Sequence, residues 1–290
     1  VVSVGLLVVV AALATTPLGA GASTGDWPQF RFGPSQSGLN PAETTIGTAN
    51  AASLTTRWEA TTGGTVSSSP VVANGVAYVG SGDGKLYAFD AVGSASCSGV
   101  PKSCPPLWTA TTGSFVYATP AVDNGVVYVG SFDHKLYAFD AVGSASCSGV
   151  PKACSPLWTG TTGGAVVASR VASGVVYVSS DNGKLYAFDA AGSAGCSGVP
   201  KACSPLWTGT TGRGVVTFPA VANGVHYVGS DDGKLYAFDA AGSIGCSGVP
   251  KACSPLWTGA SWRSSRTTTA PPNRPLDLRR LTAEGRVGDV

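Results

Sequence analysis

Lys85-Leu86-Tyr87-Ala88-Phe89-Asp90 returns unchanged at 135–140, 184–189 and 234–239, with spacings of 50, 49 and 50 residues. A period near 50 is the length of one four-stranded propeller blade. Such a unit cannot bury its apolar faces alone, so it stacks on its copies. Within the hexapeptide both faces are apolar, Leu86 and Ala88 on one and Tyr87 and Phe89 on the other. A strand covered on both sides needs that pattern; a half-exposed strand would alternate with polar residues.

The sequence around each copy fills in the blade. Asn74-Gly75, Asn124-Gly125, Ser173-Gly174 and Asn223-Gly224 precede the four hexapeptides. Asn-Gly marks a tight hairpin because a type I′ turn needs positive φ at both central positions. In the first blade this predicts strands over 66–73, 76–80, 85–89 and 106–109, the first containing Pro70 and the last Trp108. Trp158, Trp207 and Trp257 repeat the fourth strand, and Trp58 is a fifth copy that precedes the first complete repeat. The expected fold is all-β, a β-propeller of four-stranded antiparallel blades: four complete blades plus one extra strand, read as part of a larger propeller. The third blade departs from the others. Its first strand is one residue short, and Arg170 is read as replacing Pro70, Pro120 and Pro219.

Composition agrees. Glycine is 40 of 290 residues and only 12 % are charged, which excludes coiled coils, helical bundles and acidic disordered chains. Six of the ten arginines lie in residues 261–290, so the repeat body is close to neutral despite a net charge of +2. It has no electrostatic footprint for nucleic acid.

The 8 cysteines form four copies of one spacing: Cys97/Cys104, Cys147/Cys154, Cys196/Cys203 and Cys246/Cys253. Each pair is expected in the loop between the third and fourth strands of a blade, as a staple internal to that blade. The repeat favours local pairing among the 105 possible schemes. Closing a loop of about eight residues contributes roughly 2.5 kcal/mol in the chain-entropy model. A structural zinc needs four ligands, and each loop offers two with no histidine beside them.

Residues 4–14 form an eleven-residue apolar run, too short to span a bilayer, followed by Ala20-Gly21-Ala22. This reads as a secretory signal peptide over 1–22, although no positive charge precedes the run. A segment over 23–57 then leads into the repeats at 58–260, and 261–290 is a non-repeat tail expected to be disordered. The expected location is secreted, periplasmic or cell-surface, with no membrane anchor after signal cleavage. From Ala260 the pattern dissolves into arginine-rich sequence, which points to a truncated or frame-shifted product.

KLYAFDA followed by Leu-Trp, after VxYVGSxDG, resembles the PQQ-type propeller repeat of quinoprotein-like proteins. Asp26-Trp27-Pro28-Gln29-Phe30-Arg31 resembles the lead-in of the bacterial members. The resemblance implies a parent of about six to eight blades. It spans periplasmic dehydrogenases that use PQQ and calcium as well as non-catalytic scaffolds such as a barrel-assembly lipoprotein. The enzymes carry a disulfide between adjacent cysteines, and no two cysteines here are adjacent. The acids here recur in every blade, as turn residues do. No catalytic, cofactor-binding or metal residue is therefore assigned, and no cofactor is identified. PQQ and calcium enter only under the alternative reading, a fragment of a quinoprotein dehydrogenase.

Residues that break the repeat are the candidates for function, since shared ones serve the fold. Phe115 and Tyr117 replace smaller residues in a first strand, Arg170 is the outlier of the third blade, and Arg213 replaces a glycine. First strands line a propeller's channel, so these four are the expected ligand contacts. His134 and His226 are read as incidental. Lys102, Lys152, Lys201 and Lys251 are read as solubilising charges in the cysteine loops. The function expected is an exported, non-catalytic binding or scaffold protein. Its partner would be a protein or cell-surface ligand, and it could self-associate through open blade edges.

Overall fold

Where the tight turn, the aromatic hexapeptide and the Leu-Trp strand follow one another, the chain folds back three times on itself. The computed structural model describes residues 26–33, 37–44, 46–215 and 217–260. The signal peptide expected over 1–22 and the tail over 261–290 lie outside the described residues.

The blades are antiparallel and nearly identical. The first is built from Val71–Ala73, Val76–Gly80, Lys85–Asp90 and Trp108–Thr111. The second uses Ala121–Asp123, Val126–Ser131, Lys135–Asp140 and Trp158–Thr161. The third uses Val166–Ala172, Val175–Ser180, Lys184–Asp189 and Trp207–Thr210, and the fourth Ala220–Ala222, Val225–Gly229, Lys234–Asp239 and Trp257–Ala260. The hexapeptide of the first blade is buried on both faces from Leu86 to Phe89, as its pattern requires.

First strands are shorter than expected wherever proline is present. Pro70, Pro120 and Pro219 lack the N–H that a ladder needs, so pairing begins one residue later, at Val71, Ala121 and Ala220. The third blade has no such proline, and its first strand is seven residues long. The register also corrects the equivalence of Arg170. It stands opposite Tyr177, as Val71 stands opposite Tyr78 and Ala121 opposite Tyr128. Ser169 therefore holds the proline position. The missing residue is absorbed upstream, where the register shifts between Val166 and Ala168.

All four cysteine pairs are local disulfides: Cys97–Cys104, Cys147–Cys154, Cys196–Cys203 and Cys246–Cys253. Their expected place, in a loop internal to one blade, is corrected by the strand pairing. Cys147 lies opposite Cys154 in a short hairpin, and Lys152–Cys154 then pairs in parallel with Trp108–Thr111 of the preceding blade. Cys203 ends the strand that pairs with Trp158–Thr161, and Cys253 ends the one that pairs with Trp207–Thr210. In the first blade Lys102–Ser103 pairs with Trp58–Glu59, the extra strand, and Cys104 N–H donates to Glu59 O at 2.9 Å. Each staple thus clasps one blade to its neighbour, and the first three blades belong to six-stranded sheets whose outer two strands come from the following blade.

The two cysteines of a pair are also unequal, which their shared spacing does not suggest. Cys104, Cys154, Cys203 and Cys253 are buried, whereas Cys97, Cys147, Cys196 and Cys246 are only half-buried. Cys154 joins the apolar core between the first and second blades, Cys203 that between the second and third, and Cys253 that between the third and fourth. The physical reason is the parallel pairing, which carries the second cysteine of each staple onto the preceding sheet and under its side chains. The disulfides therefore contribute packing between blades as well as closing a short loop.

The blades stack through one recurring seat. Trp108 of the first blade donates its indole N–H to Ala141 O of the second at 3.2 Å, and Tyr78 donates its hydroxyl to the same oxygen at 2.9 Å. The indole lies against Gly143, whose φ is +69° and where a Cβ would collide with Trp108 Cδ1. Phe139 completes the seat, 6.4 Å from Trp108 between ring centroids. Gly143 is thus required twice, by a left-handed backbone and by the close approach of the ring.

Gly125 separates these two demands, because its φ is +76° and nothing lies within 4 Å of an added Cβ. Gly125→Ala should lose about 1–2 kcal/mol, the cost of left-handed backbone alone. Gly143→Ala should lose at least about 3 kcal/mol, because the ring must also move. Urea unfolding of both variants checks this; equal losses would mean that the indole is not seated on Gly143.

Candidate functional site

The inner edges of the blades are the first strands, and they are not bare. Residues 26–33 run across them. Trp27 exchanges backbone hydrogen bonds with Val72 of the first blade at 2.6 and 2.9 Å, and Asn74 N–H donates to Asp26 Oδ1 at 3.0 Å. Val122 N–H of the second blade donates to Pro28 O at 2.8 Å. Arg170 of the third blade donates Nη1 to Gly33 O at 2.6 Å and Nη2 to Phe30 O at 3.2 Å. Phe30 stacks on Phe218 of the fourth blade, with centroids 3.9 Å apart. One short segment therefore touches the inner edge of all four blades.

This decides what Arg170 does. The side chain is fully buried, and two of its nitrogens are spent on carbonyls of the lead-in segment. Burial pushes its pKa down to about 10. It fastens residues 30–33 to the third blade. Beside it, His226 is fully buried, and neither ring nitrogen has a hydrogen-bond partner among the described residues. Its ring lies 4.7 Å from that of Tyr177, the residue opposite Arg170 in the sheet. Burial, with the Arg170 cation adding to it, pushes the His226 pKa down to about 3. The reading of His226 as incidental missed this burial. The available signal was its alignment with the apolar positions Ala77, Val127 and Val176.

Phe115 and Tyr117 do come together. Their rings stack with centroids 5.5 Å apart, and Phe132 meets Tyr117 edge-on at 5.3 Å. Phe132 N–H donates to Phe115 O at 3.0 Å, which locks the two turns that carry the cluster. Phe115 is 49 % exposed, and Phe132 is also exposed. Phe132 was not among the sequence candidates, although it too breaks the repeat, standing where the other blades have Gly82, Asp181 and Asp231. A shallow cavity of about 160 Å³ adjoins the cluster, lined by Gly82, Asp83, Thr112, Ser114 and Phe115 among others. Arg213 is exposed on the turn between the third and fourth blades, with its backbone N–H on Ser230 Oγ at 3.2 Å.

The recurring charges serve the fold. Asp90 accepts from the Ser94 hydroxyl and from the N–H groups of Val92, Ser94 and Ala95. These bonds, that of the Ser94 hydroxyl first, hold its carboxyl well below the usual range. Lys102, Lys152, Lys201 and Lys251 each donate Nζ to the seat glycine of their own blade at 2.9–3.2 Å. Among the described residues, no group of three or more His, Cys, Asp or Glu is placed to hold a metal ion.

A family model described as outer membrane protein assembly factor BamB matches residues 42–96 and 155–276. Among solved structures, BamB from Moraxella catarrhalis is similar at 18 % identity and a TM-score of 0.48, over 63 % of this chain and 49 % of that one. The computationally designed protein Ika8 is similar at 13 % identity and a TM-score of 0.48, over 66 % of this chain and 48 % of that one. A second designed protein, Ika4, is similar at 12 % identity and the same TM-score, over 63 % of this chain and 96 % of that one. The chain thus spans about half the length of Ika8 and of the Moraxella protein. None of the curated proteins matches.

The buried histidine makes stability depend on acid. An unfolded histidine takes up a proton below about pH 6.5, whereas His226 in the native chain resists down to about pH 3. Stability therefore falls as pH drops through that window, by about 1.4 kcal/mol per pH unit from this residue. His226→Val, which installs the side chain of Val127 and Val176, should remove this component. Urea unfolding at pH 7 and pH 4.5 should show the wild type losing about 2.5 kcal/mol more than the variant. Equal losses would mean that His226 is open to protons in the folded chain.

Proposed function

The chain belongs to the PQQ-type repeat family described as outer membrane protein assembly factor BamB, and from that membership we propose an exported, non-catalytic propeller that binds a partner through its second blade. The observation that carries this reading is the cluster of exposed Phe115 and Phe132 around half-buried Tyr117. Exposed aromatics that adjoin a cavity mark an interaction site, because their burial against a partner is favourable and ordinary surfaces avoid them. The aromatics are also confined to one blade. A residue that the blade-to-blade stack needs recurs in every repeat; these do not. Arg213, on a comparable turn of the fourth blade, is proposed as a secondary contact. Arg170 contributes indirectly, by holding the lead-in segment against the inner strands.

The partner is an envelope protein or a cell-surface ligand. Four disulfides are consistent with an oxidising compartment, as periplasmic or extracellular residence supplies. The residues present do not fit calcium and PQQ. The recurrent aspartates are engaged by turn N–H groups and hydroxyls, and the adjacent cysteines of the quinoprotein enzymes are lacking. No step through that cofactor is derived.

Binding of detergent-solubilised envelope protein to the oxidised chain tests the proposal. Phe115→Ser, Tyr117→Ser and Phe132→Ser, combined, should weaken capture at least tenfold while leaving the melting temperature within a few degrees. Undiminished capture by the triple variant would overturn the site. Alcohol-dependent dye reduction after addition of PQQ and calcium would overturn the non-catalytic reading.

A further inference from the structure

The three internal blade junctions are chemically alike, and both halves of a fourth are present among the described residues, where they do not meet. The giving half lies on the last blade. Trp108, Trp158 and Trp207 are at most 2 % exposed, because the next blade covers them; Trp257 is 41 % exposed. Leu86, Leu136 and Leu185 are fully buried, while their counterpart Leu235 is 38 % exposed. Gly80 and Gly130 receive Val116 and Val166 of the following blade, whereas the nearest atoms to Gly229 are those of Thr217 of its own.

The receiving half lies on the first blade. Val116, Val166 and Val215 are fully buried, whereas their counterpart Val66 is 52 % exposed. Ala91 O, Gly93 and Phe89 form the same seat that holds the tryptophans elsewhere. Here Trp58 occupies it, with its indole N–H on Ala91 O at 3.0 Å and its ring 6.1 Å from Phe89. Trp58 belongs to a two-residue strand that pairs, among the described strands, only with Lys102–Ser103. Among the described residues, no full blade stands behind it.

We propose that the Trp257 face of the fourth blade docks on the Val66–Phe89 face of the first blade in a second copy of this chain. Trp257 takes the seat on Gly93 that Trp58 fills in the single chain. Val66 settles on Gly229, and Tyr227 donates its hydroxyl to Ala91 O, as Tyr78, Tyr128 and Tyr177 do to Ala141, Ala190 and Ala240. Exchanging one tryptophan for another costs the seat nothing, and the surplus comes from burying Leu235, Tyr227 and Val66. The four-residue Trp257–Ala260 strand also pairs more of Lys102–Ser103 and its flanks than Trp58–Glu59 does. Two such junctions related by a twofold axis close the pair without leaving either face open. The proposal goes beyond the binding reading and does not depend on it, since the aromatic cluster lies on the second blade.

Sedimentation velocity of the full oxidised chain tests it. The expected species at about 50 μM has twice the 28.9 kDa chain mass, and a monomer at that concentration overturns the proposal. Val66→Glu and Leu235→Lys, both at exposed sites, should each raise the dissociation constant at least tenfold without lowering the melting temperature measured at dilutions where the wild type is also monomeric. Mixing the two variants should restore a dimer, because one junction in the mixed pair is then unaltered. A dimer insensitive to both substitutions would place the contact elsewhere and overturn the proposal. Val66→Cys combined with Gly229→Cys separates the remaining occupants of the face. An added disulfide between chains supports the second copy; one within a chain shows self-closure, and no disulfide shows that another segment covers the face. Either of the last two overturns it.

Discussion

An indole lying on a left-handed glycine is the contact on which this architecture depends. Trp108 on Gly143 sets the separation of two blades, and the two hydrogen bonds to Ala141 O set their rotation about one another. Neither partner can change alone. A Cβ on the glycine meets the ring, and a smaller side chain in place of the tryptophan leaves a void between two sheets. The rest of the repeat follows from keeping that seat. The hexapeptide is apolar on both faces because one face meets the preceding blade and the other the following blade.

Stacked sheets have edges, and edges must be covered. The chain does this with two devices. On the outside, each stapled hairpin adds two short strands to the sheet of the preceding blade. The disulfide holds the hairpin closed, so its pairing with the neighbour needs little further ordering. The buried cysteine of each pair, Cys154, Cys203 or Cys253, then becomes part of the core it closes. On the inside, prolines shorten the first strands, and residues 26–33 pair with or pack on what remains. The third blade lacks the proline, has a longer first strand, and uses an arginine to hold the same segment. Arg170 and His226, whose ring has no hydrogen-bond partner among the described residues, are the buried polar departures from an apolar repeat at this point.

A repeat protein separates structural from functional residues in a way that single-copy folds do not. What the blades share maintains the stack; what only one blade has either adapts that blade locally, as Arg170 does, or is available for another purpose. Phe115, Tyr117 and Phe132 satisfy that condition together, on two neighbouring turns of the second blade. The recurring lysines and aspartates fail it, and those of the stapled loops and strand ends are engaged locally. Among the described residues, Trp257, Leu235 and Val66 of the terminal blades keep the residue types of their internal counterparts and differ from them in exposure.

Blade count, strand order, hairpin turns and the local pairing of cysteines were legible in the sequence. Each rests on a short-range rule, a period of 50 residues, a positive-φ dipeptide or a spacing of seven, that a linear reading samples directly. The stacking of Phe115 on Tyr117 was half legible: both residues broke the repeat, and Phe132 broke it too but sat on a different turn. The role of Arg170 was not legible. Its register depended on where a missing residue was absorbed, and its partners lie about 140 positions away. The burial of His226, the burial of Cys104 and its equivalents, and the reach of each staple into its neighbour's sheet were likewise decided only by tertiary structure. Local chemistry sets what a strand or turn can be, whereas burial and long-range pairing depend on which surfaces the stack brings together.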